Sequence, residues 1–285
     1  MPPRSLTTTT IIISRIIWAD PRIREIPMKI VIKVGTSTLA YPNGSLNIRR
    51  TEELCKVMSD LKNAGNEIIL VSSGAIAMGV GKLSLKERPK DMPTKQVAAA
   101  VGQCELMYIY DKLFAEYNHN VAQILLTGTD VQDEKRHLNF HNTINRLIEL
   151  RVLPIINEND TIATEEISVG DNDTLGAIVA ASTDADLLVL LSDIDGLYTA
   201  DPHKDTCAKL IHRVPFLTDE IKKLGGDKGS ALGTGGMKTK LGAAEICTEN
   251  GCDMVIANGS KPELMYDILD GKEVGTYFVA EKKRK

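Results

Sequence analysis

No uninterrupted apolar run in this 285-residue chain approaches the ~20 residues needed to cross a bilayer, which argues against a membrane span. Net charge is also scarce. A formal balance of -4 offers no general nucleic-acid surface, and the only basic run, "EKKRK", ends the chain, with residues 282–285 read as a solvated tail. The five cysteines, Cys55, Cys104, Cys207, Cys247 and Cys252, are odd in number and form no close ligand quartet. That pattern argues against a disulfide framework and fits the reducing cytoplasm. No His/Cys spacing suits zinc, and neither Ser72 nor Ser73 has an evident histidine partner for nucleophilic catalysis. A Walker loop is missing as well, because the only Gly-Lys pairs, Gly81-Lys82 and Gly271-Lys272, are followed by leucine and glutamate.

With 43% hydrophobic residues, the chain can bury a large core as one big domain or two closely joined ones. Residues 1–27 look foreign to the rest of the chain and read as a poorly structured extension with little folded role. From Met28 the pattern becomes regular. "MKIVIKVG" reads as a buried strand, "NIRRTEELCKVMSDLKNAG" as an amphipathic helix, and Glu67 to Val71 as a second strand turning through Ser72, Ser73 and Gly74 into a small-residue helix. The alternation continues through a helix at about Thr94 to Tyr117, a strand at Val121 to Leu126, a helix at about Glu134 to Leu150 and the strand "VLPIIN". After the polar stretch 158–173 come an alanine-rich helix and "ADLLVLLS", the strongest buried-strand signal. Next come "KLIHRV" as an edge strand, a short helix at Asp219 to Leu224, a longer one at Met237 to Glu249, the strand "CDMVIAN", the helix "ELMYDILDG" and a terminal strand "GTYFVA". Strand and helix in alternation predict a mostly parallel sheet covered by helices. With no internal repeat or long linker, the weakest point for a division is the region around Gly170.

In such a sheet the ligand lies beyond the C-terminal ends of the strands. Lys33 and Gly35, then Ser72, Ser73 and Gly74, then Asn157, Glu158, Asn159 and Asp160, then Ser192, Asp193 and Asp195 fall at four such ends. Each alone also fits a turn or a helix cap. Recurrence after successive strands favours a site. Lys33 inside "IVIKVG" is the least cap-like: it either snorkels from an edge strand or aims a charge at a transferred phosphoryl group, with Gly35 allowing close approach. Lys240, in the helix opened by "GTGG", is either an exposed lysine or a second charge on the same phosphates. Asp171, Asn172 and Asp173 precede a helix and read either as a richly capped start or as groups that hold an amino group and orient the lysines. No glutamate stands where a calcium loop beginning here would need one.

Seven blocks carry a family resemblance: "IVIKVGTSTL", "ILVSSGAIAMG", "AAAVGQCELMYIYDKLF", "PIINENDT", "VGDNDTLGAIVA", "LLSDIDGLYTADP" and "GTGGMKTKLGAA". In this order, over about Met28 to Phe278, the chain resembles the amino acid kinase family, and within it the members that phosphorylate the side-chain carboxylate of L-glutamate to glutamyl 5-phosphate at the start of proline biosynthesis. The resemblance implies an α/β fold, a three-layer αβα sandwich with a largely parallel central sheet. It implies a kinase domain at 28–281, with a glutamate-binding part at about 28–170 and a nucleotide-binding part at about 171–281.

The same resemblance implies substrate binding by Ser73, Asn157, Asp160, Asp171 and Asn172, and ATP binding by Lys33, Gly35, Ser192, Asp193 and the segment Thr234, Gly235, Gly236, Met237, Lys238, Thr239 and Lys240. Lys33 and Lys240 would stabilise the transferring group while Asp173 holds them. Mg²⁺ would travel with ATP, with no separate protein metal site. A homodimer or homotetramer, feedback inhibition by proline, and no nucleic-acid or membrane partner are implied as well. The chain leaves no room for the C-terminal PUA domain that many such members carry. Acetylglutamate or aspartate as acceptor is the alternative within the family, and a non-catalytic amino-acid or nucleotide sensor the alternative outside that chemistry. The intact Lys33, Lys240 and Asp173 speak against the sensor.

Overall fold

The computed structural model describes residues 27–163, 171–202, 204–226 and 236–281. The expected N-terminal extension up to residue 26, the basic tail and the division near Gly170 lie outside the described residues, as do Thr234 and Gly235.

In chain order the first half comprises β1 (Lys29–Val34), α1 (Thr36–Leu39), α2 (Ile48–Asn63), β2 (Glu67–Ser72), α3 (Ala75–Lys82), α4 (Met92–Ala115), β3 (Val121–Leu126), α5 (Gly128–Gln132), α6 (Glu134–Glu149) and β4 (Leu153–Glu158). The second half comprises α7 (Asn172–Ser182), β5 (Leu187–Ser192), β6 (Arg213–Val214), α8 (Asp219–Lys223), α9 (Met237–Glu249), β7 (Asp253–Asn258), α10 (Leu264–Leu269) and β8 (Thr276–Phe278). One eight-stranded sheet, ordered β3-β4-β2-β1-β5-β7-β8-β6, runs through both halves. Six strands are mutually parallel, while β8 runs antiparallel to β7 and pairs in parallel with β6. The expected edge strand "KLIHRV" shrinks to Arg213–Val214 plus a single bridge from Leu210 to Tyr198, because β8 offers only three residues to pair with.

Alternation along each strand separates two cores. Ile30, Ile32 and Val34 pack with Val57 and Met58 of α2, Leu106 and Phe114 of α4 and Ile268 of α10. Val31, Ile69 and Leu188 pack with Ile144 of α6, Leu175 and Val179 of α7 and Ala244 of α9. Helices therefore cover both faces, which makes the three-layer αβα sandwich. Every residue of β5 is buried, as befits a strand covered on both faces and paired on both edges.

β1 lies in the middle of the sheet, between β2 and β5. That position removes the edge-strand account of Lys33. Chain order reverses direction on either side of β1, and a doubly wound sheet opens its ligand crevice at such a point. On one face, α3 and α4 approach with almost no separation. A Cβ added to Gly102 would lie 1.7 Å from the Ala75 carbonyl oxygen, and one added to Gly79 would lie 1.8 Å from that of Ala98. No residue larger than glycine fits at either place.

Candidate active site

Asp171, Asn172 and Asp173 open α7, and their three side chains go to three different places. Asp171 adopts the extended N-cap conformation and accepts from the Thr174 N–H at 2.8 Å and the Thr174 hydroxyl at 2.9 Å, so the capped-helix reading holds for this residue. Asp173, only 1% exposed, lies between two ammonium groups. Lys33 Nζ stands 2.5 Å from its Oδ1 and Lys240 Nζ 3.0 Å from its Oδ2. Both lysines are buried, at 8% and 4% exposure, so the exposed-helix reading of Lys240 is excluded. Burial by itself pushes the Asp173 carboxyl up, but Lys33 first and Lys240 second overcome it and hold the group below the ordinary carboxylate range. Formal charges of two lysines and one aspartate sum to one positive charge, which suits a wall facing an anion.

Local packing places this cluster. Lys33 shares the sheet face of Val31, and Gly176 of α7 lets the helix lie against it, since an added Cβ there would sit 3.3 Å from Lys33 Cβ. Thr239 Oγ1 lies 3.0 Å from Asp173 Oδ2 and 2.8 Å from the Gly236 carbonyl, tying the start of α9 to the start of α7.

Asn172 goes the other way. Its Nδ2 donates to the Ser72 carbonyl at 3.0 Å, Ser73 Oγ at 2.8 Å and Asn157 Oδ1 at 3.1 Å. Asn157 Oδ1 also accepts from the Glu158 N–H at 2.9 Å, and Asn157 Nδ2 donates to Gln103 Oε1 at 2.9 Å. Nearby, burial pushes the Asp160 carboxyl up to about 6, Glu158 adds to the shift and Arg88 opposes it. Gly74 supplies the left-handed turn, φ 99°, that joins β2 to α3.

These groups line one cleft of about 960 Å³. Lys33, Gly35, Ser73, Asn157, Asp160, Asp171, Asn172, Asp173, Ser192, Asp193, Gly236, Met237 and Lys240 all border it. Two predicted members of the nucleotide segment do not: Lys238 faces solvent and Thr239 is turned to Asp173. The N–H of Gly35 is already bonded to the Leu191 carbonyl at 3.3 Å, so openness at this residue comes from its missing side chain. A Cβ added to Gly35 would lie 3.9 Å from Lys33 Nζ. Sequence reasoning passed over Gln103, Tyr110 and Gly176. All three are helix residues in small or apolar surroundings, and only the third dimension brings them to strand ends.

A model of the amino acid kinase family matches residues 28–258. The chain belongs to the amino acid kinase family. Among curated relatives, the chain is similar to the glutamate 5-kinase of Clostridium perfringens (strain 13 / Type A), with 52% identity over 258 residues that cover 89% of this chain and 96% of the relative. It is similar to the glutamate 5-kinase of Clostridium acetobutylicum at 53% over 255 residues, covering 90% and 96%. The carbamate kinase of Giardia lamblia, solved with AMP-PNP, shares the family fold with a TM-score of 0.64 at 18% identity, covering 90% of this chain and 100% of that one. No helix among the described residues is long and apolar enough to cross a membrane.

Proposed function

We propose that this amino acid kinase transfers the γ-phosphoryl group of ATP to the side-chain carboxylate of L-glutamate, the activity of a glutamate 5-kinase. The single observation that carries the reading is the Lys33–Asp173–Lys240 cluster beside the amide network at the sheet's switch point. A carboxylate oxygen of glutamate attacks the γ-phosphorus, a new P–O bond forms, and the bond from that phosphorus to the β,γ-bridging oxygen breaks. The products are glutamyl 5-phosphate and ADP. The acceptor is already ionised, so no general base is needed. The obstacle is repulsion between two anions, and Lys33 and Lys240 offset it where charge develops.

Asp173 holds both lysines in place. The glutamate part, about residues 28–170, supplies Ser73, Asn157 and Asp160, and the acceptor's amino group is received by carbonyl and carboxylate oxygens of Asn172 and Asp160. The first-turn N–H groups of α3, at Ala75, Ile76 and Ala77 on the same cleft, suit the α-carboxylate. Ser192, Asp193, Gly236 and Met237 lie on the nucleotide side. No cluster of three or more His, Cys, Asp or Glu side chains suited to a metal occurs among the described residues, and Asp173 is already engaged by two lysines. Mg²⁺ arriving with the nucleotide phosphates would supply charge neutralisation there. The resemblance carries a cytoplasmic homodimer or homotetramer and inhibition by proline into the same proposal.

The test is ATP-dependent phosphorylation of several acceptors, with the acyl phosphate trapped by hydroxylamine. Glutamyl hydroxamate should form only with glutamate, ATP and Mg²⁺ together. Failure with glutamate and success with acetylglutamate or aspartate would overturn the acceptor assignment.

A further inference from the structure

Gln103 is a buried polar residue for which the transfer reaction offers no direct use. It lies on α4, which lines no part of the described cleft, and only 7% of it is exposed. A polar side chain at this depth needs a partner, and its Oε1 accepts from Asn157 Nδ2 at 2.9 Å. We infer that Gln103 is a positioning residue for the acceptor amino acid: by accepting from Asn157 Nδ2 it holds the Asn157 amide, and through it the Asn172 amide, in the orientation that the neighbouring backbone groups select. The inference rests on the proposed glutamate reading.

Donor and acceptor logic carries it, because backbone groups of fixed polarity anchor both ends. The Glu158 N–H can only donate, so the Asn157 atom 2.9 Å away is Oδ1. Asn157 Nδ2 must then point at Gln103, which answers with Oε1. At the other end the Ser72 carbonyl can only accept, so the Asn172 atom 3.0 Å away is Nδ2, the same atom that reaches Asn157 Oδ1. Asn172 Nδ2 is thereby committed to the protein. Among the described residues no hydrogen bond occupies Asn172 Oδ1, and Asn172 lines the cleft. The relay leaves an acceptor for the ammonium of an α-amino acid.

The helix that holds Gln103 is itself fixed. Gly102 lets α4 press onto α3, and Tyr110, two helical turns beyond Gln103 on the same face, shares a hydrogen bond of 2.8 Å with Ser72 Oγ, which donates on to the Ser73 carbonyl at 3.1 Å. Tyr110 thus ties α4 to Ser72, whose carbonyl accepts from Asn172.

Gln103→Met removes the acceptor while keeping length and bulk. It leaves Asn157 Nδ2 unpaired, and turning that amide over would set donor against donor at the Glu158 N–H. KM for glutamate should rise about 10-fold, the size of one lost buried hydrogen bond, with KM for ATP within about 2-fold of wild type. The ratio of kcat/KM for glutamate to that for 2-hydroxyglutarate, which lacks the ammonium, should fall by a similar factor. A merely structural role would depress both acceptors alike. Gln103→Glu, which keeps an oxygen acceptor at the same reach, should restore most of the glutamate KM, and it serves as the test if Gln103→Met does not fold. An unchanged glutamate KM and acceptor ratio in folded Gln103→Met, or a Gln103→Glu enzyme as impaired as the methionine variant, would overturn the inference. A wild-type enzyme that forms no glutamyl hydroxamate would instead sink the underlying function, so the two failures are separable.

Discussion

Asn172 and Asp173 are chain neighbours in the first turn of α7, yet they serve networks built on opposite physics. Asp173 joins an ionic cluster in which two ammonium groups share one carboxylate. Asn172 joins a relay of neutral amides and hydroxyls whose orientation descends from backbone groups. Charges that outnumber their counter-charge can work on a migrating phosphoryl group, whereas dipoles of fixed direction can recognise a substrate without competing for the same anions. One helix start keeps the two apart, and substitutions on either side should separate rate from recognition.

The largest effect is expected at Asp173. Asp173→Ala strips the shared carboxylate from two buried ammonium groups, which should cost about 3–5 kcal/mol of stability in urea unfolding and nearly all turnover. Since the Asp173 carboxyl is held below its ordinary value of 3.8, its stabilisation is present above that value and is lost as pH falls through the lowered one. Wild-type turnover in this variant would dissolve the distinction between the two networks. Lys33→Ala and Lys240→Ala should each lower kcat about 10²-fold to 10³-fold, with far smaller changes in glutamate KM. A defect confined to glutamate KM would move the lysine to the recognition side.

Acidity should act on recognition. The Asp160 carboxyl is pushed up to about 6, so it is ionised above that pH and neutral below it. Glutamate KM is expected to climb as pH drops from 8 towards 5.5, with ATP KM not following, and Asp160→Asn should flatten the profile. Identical profiles in the two enzymes would remove Asp160 from the site. The smallest effect is expected at Gly176→Ala, where the new Cβ would lie 3.3 Å from Lys33 Cβ. Displacing α7 by a few tenths of an ångström should cost about 1 kcal/mol and a few-fold in kcat, leaving both KM values in place.

Long, strongly patterned elements were legible in the sequence. Val121–Leu126 and Met237–Glu249 form over the anticipated residues, and "ADLLVLLS" provides the fully buried β5. One-turn elements were legible only in part: α1 and α5, of 4 and 5 residues, are too short to show a period, whereas α8 forms where Asp219 to Leu224 reads as a short helix. "KLIHRV" looks like a strand, but pairing there is limited by the partner, a property of another segment. Within the site, Lys33 was conspicuous because a charge inside an apolar strand demands a reason. Gln103 was not, because glutamine in a helix is ordinary until its depth and its partner are known. Thr239 fell within the predicted nucleotide segment, yet its hydroxyl turns inward to Asp173, a direction that spacing cannot supply.

The position of β5 also has a dynamic consequence. A strand buried on both faces and bonded along both edges, to β1 and β7, has no local opening that bares its amides without parting the sheet. Its N–H groups should be among the last to exchange with deuterium, near the rate set by global unfolding, while edge strand β3, with half-exposed residues and one partner, should exchange much earlier. Ser192, the final residue of β5, thus borders the cleft from the slowest-opening part of the molecule.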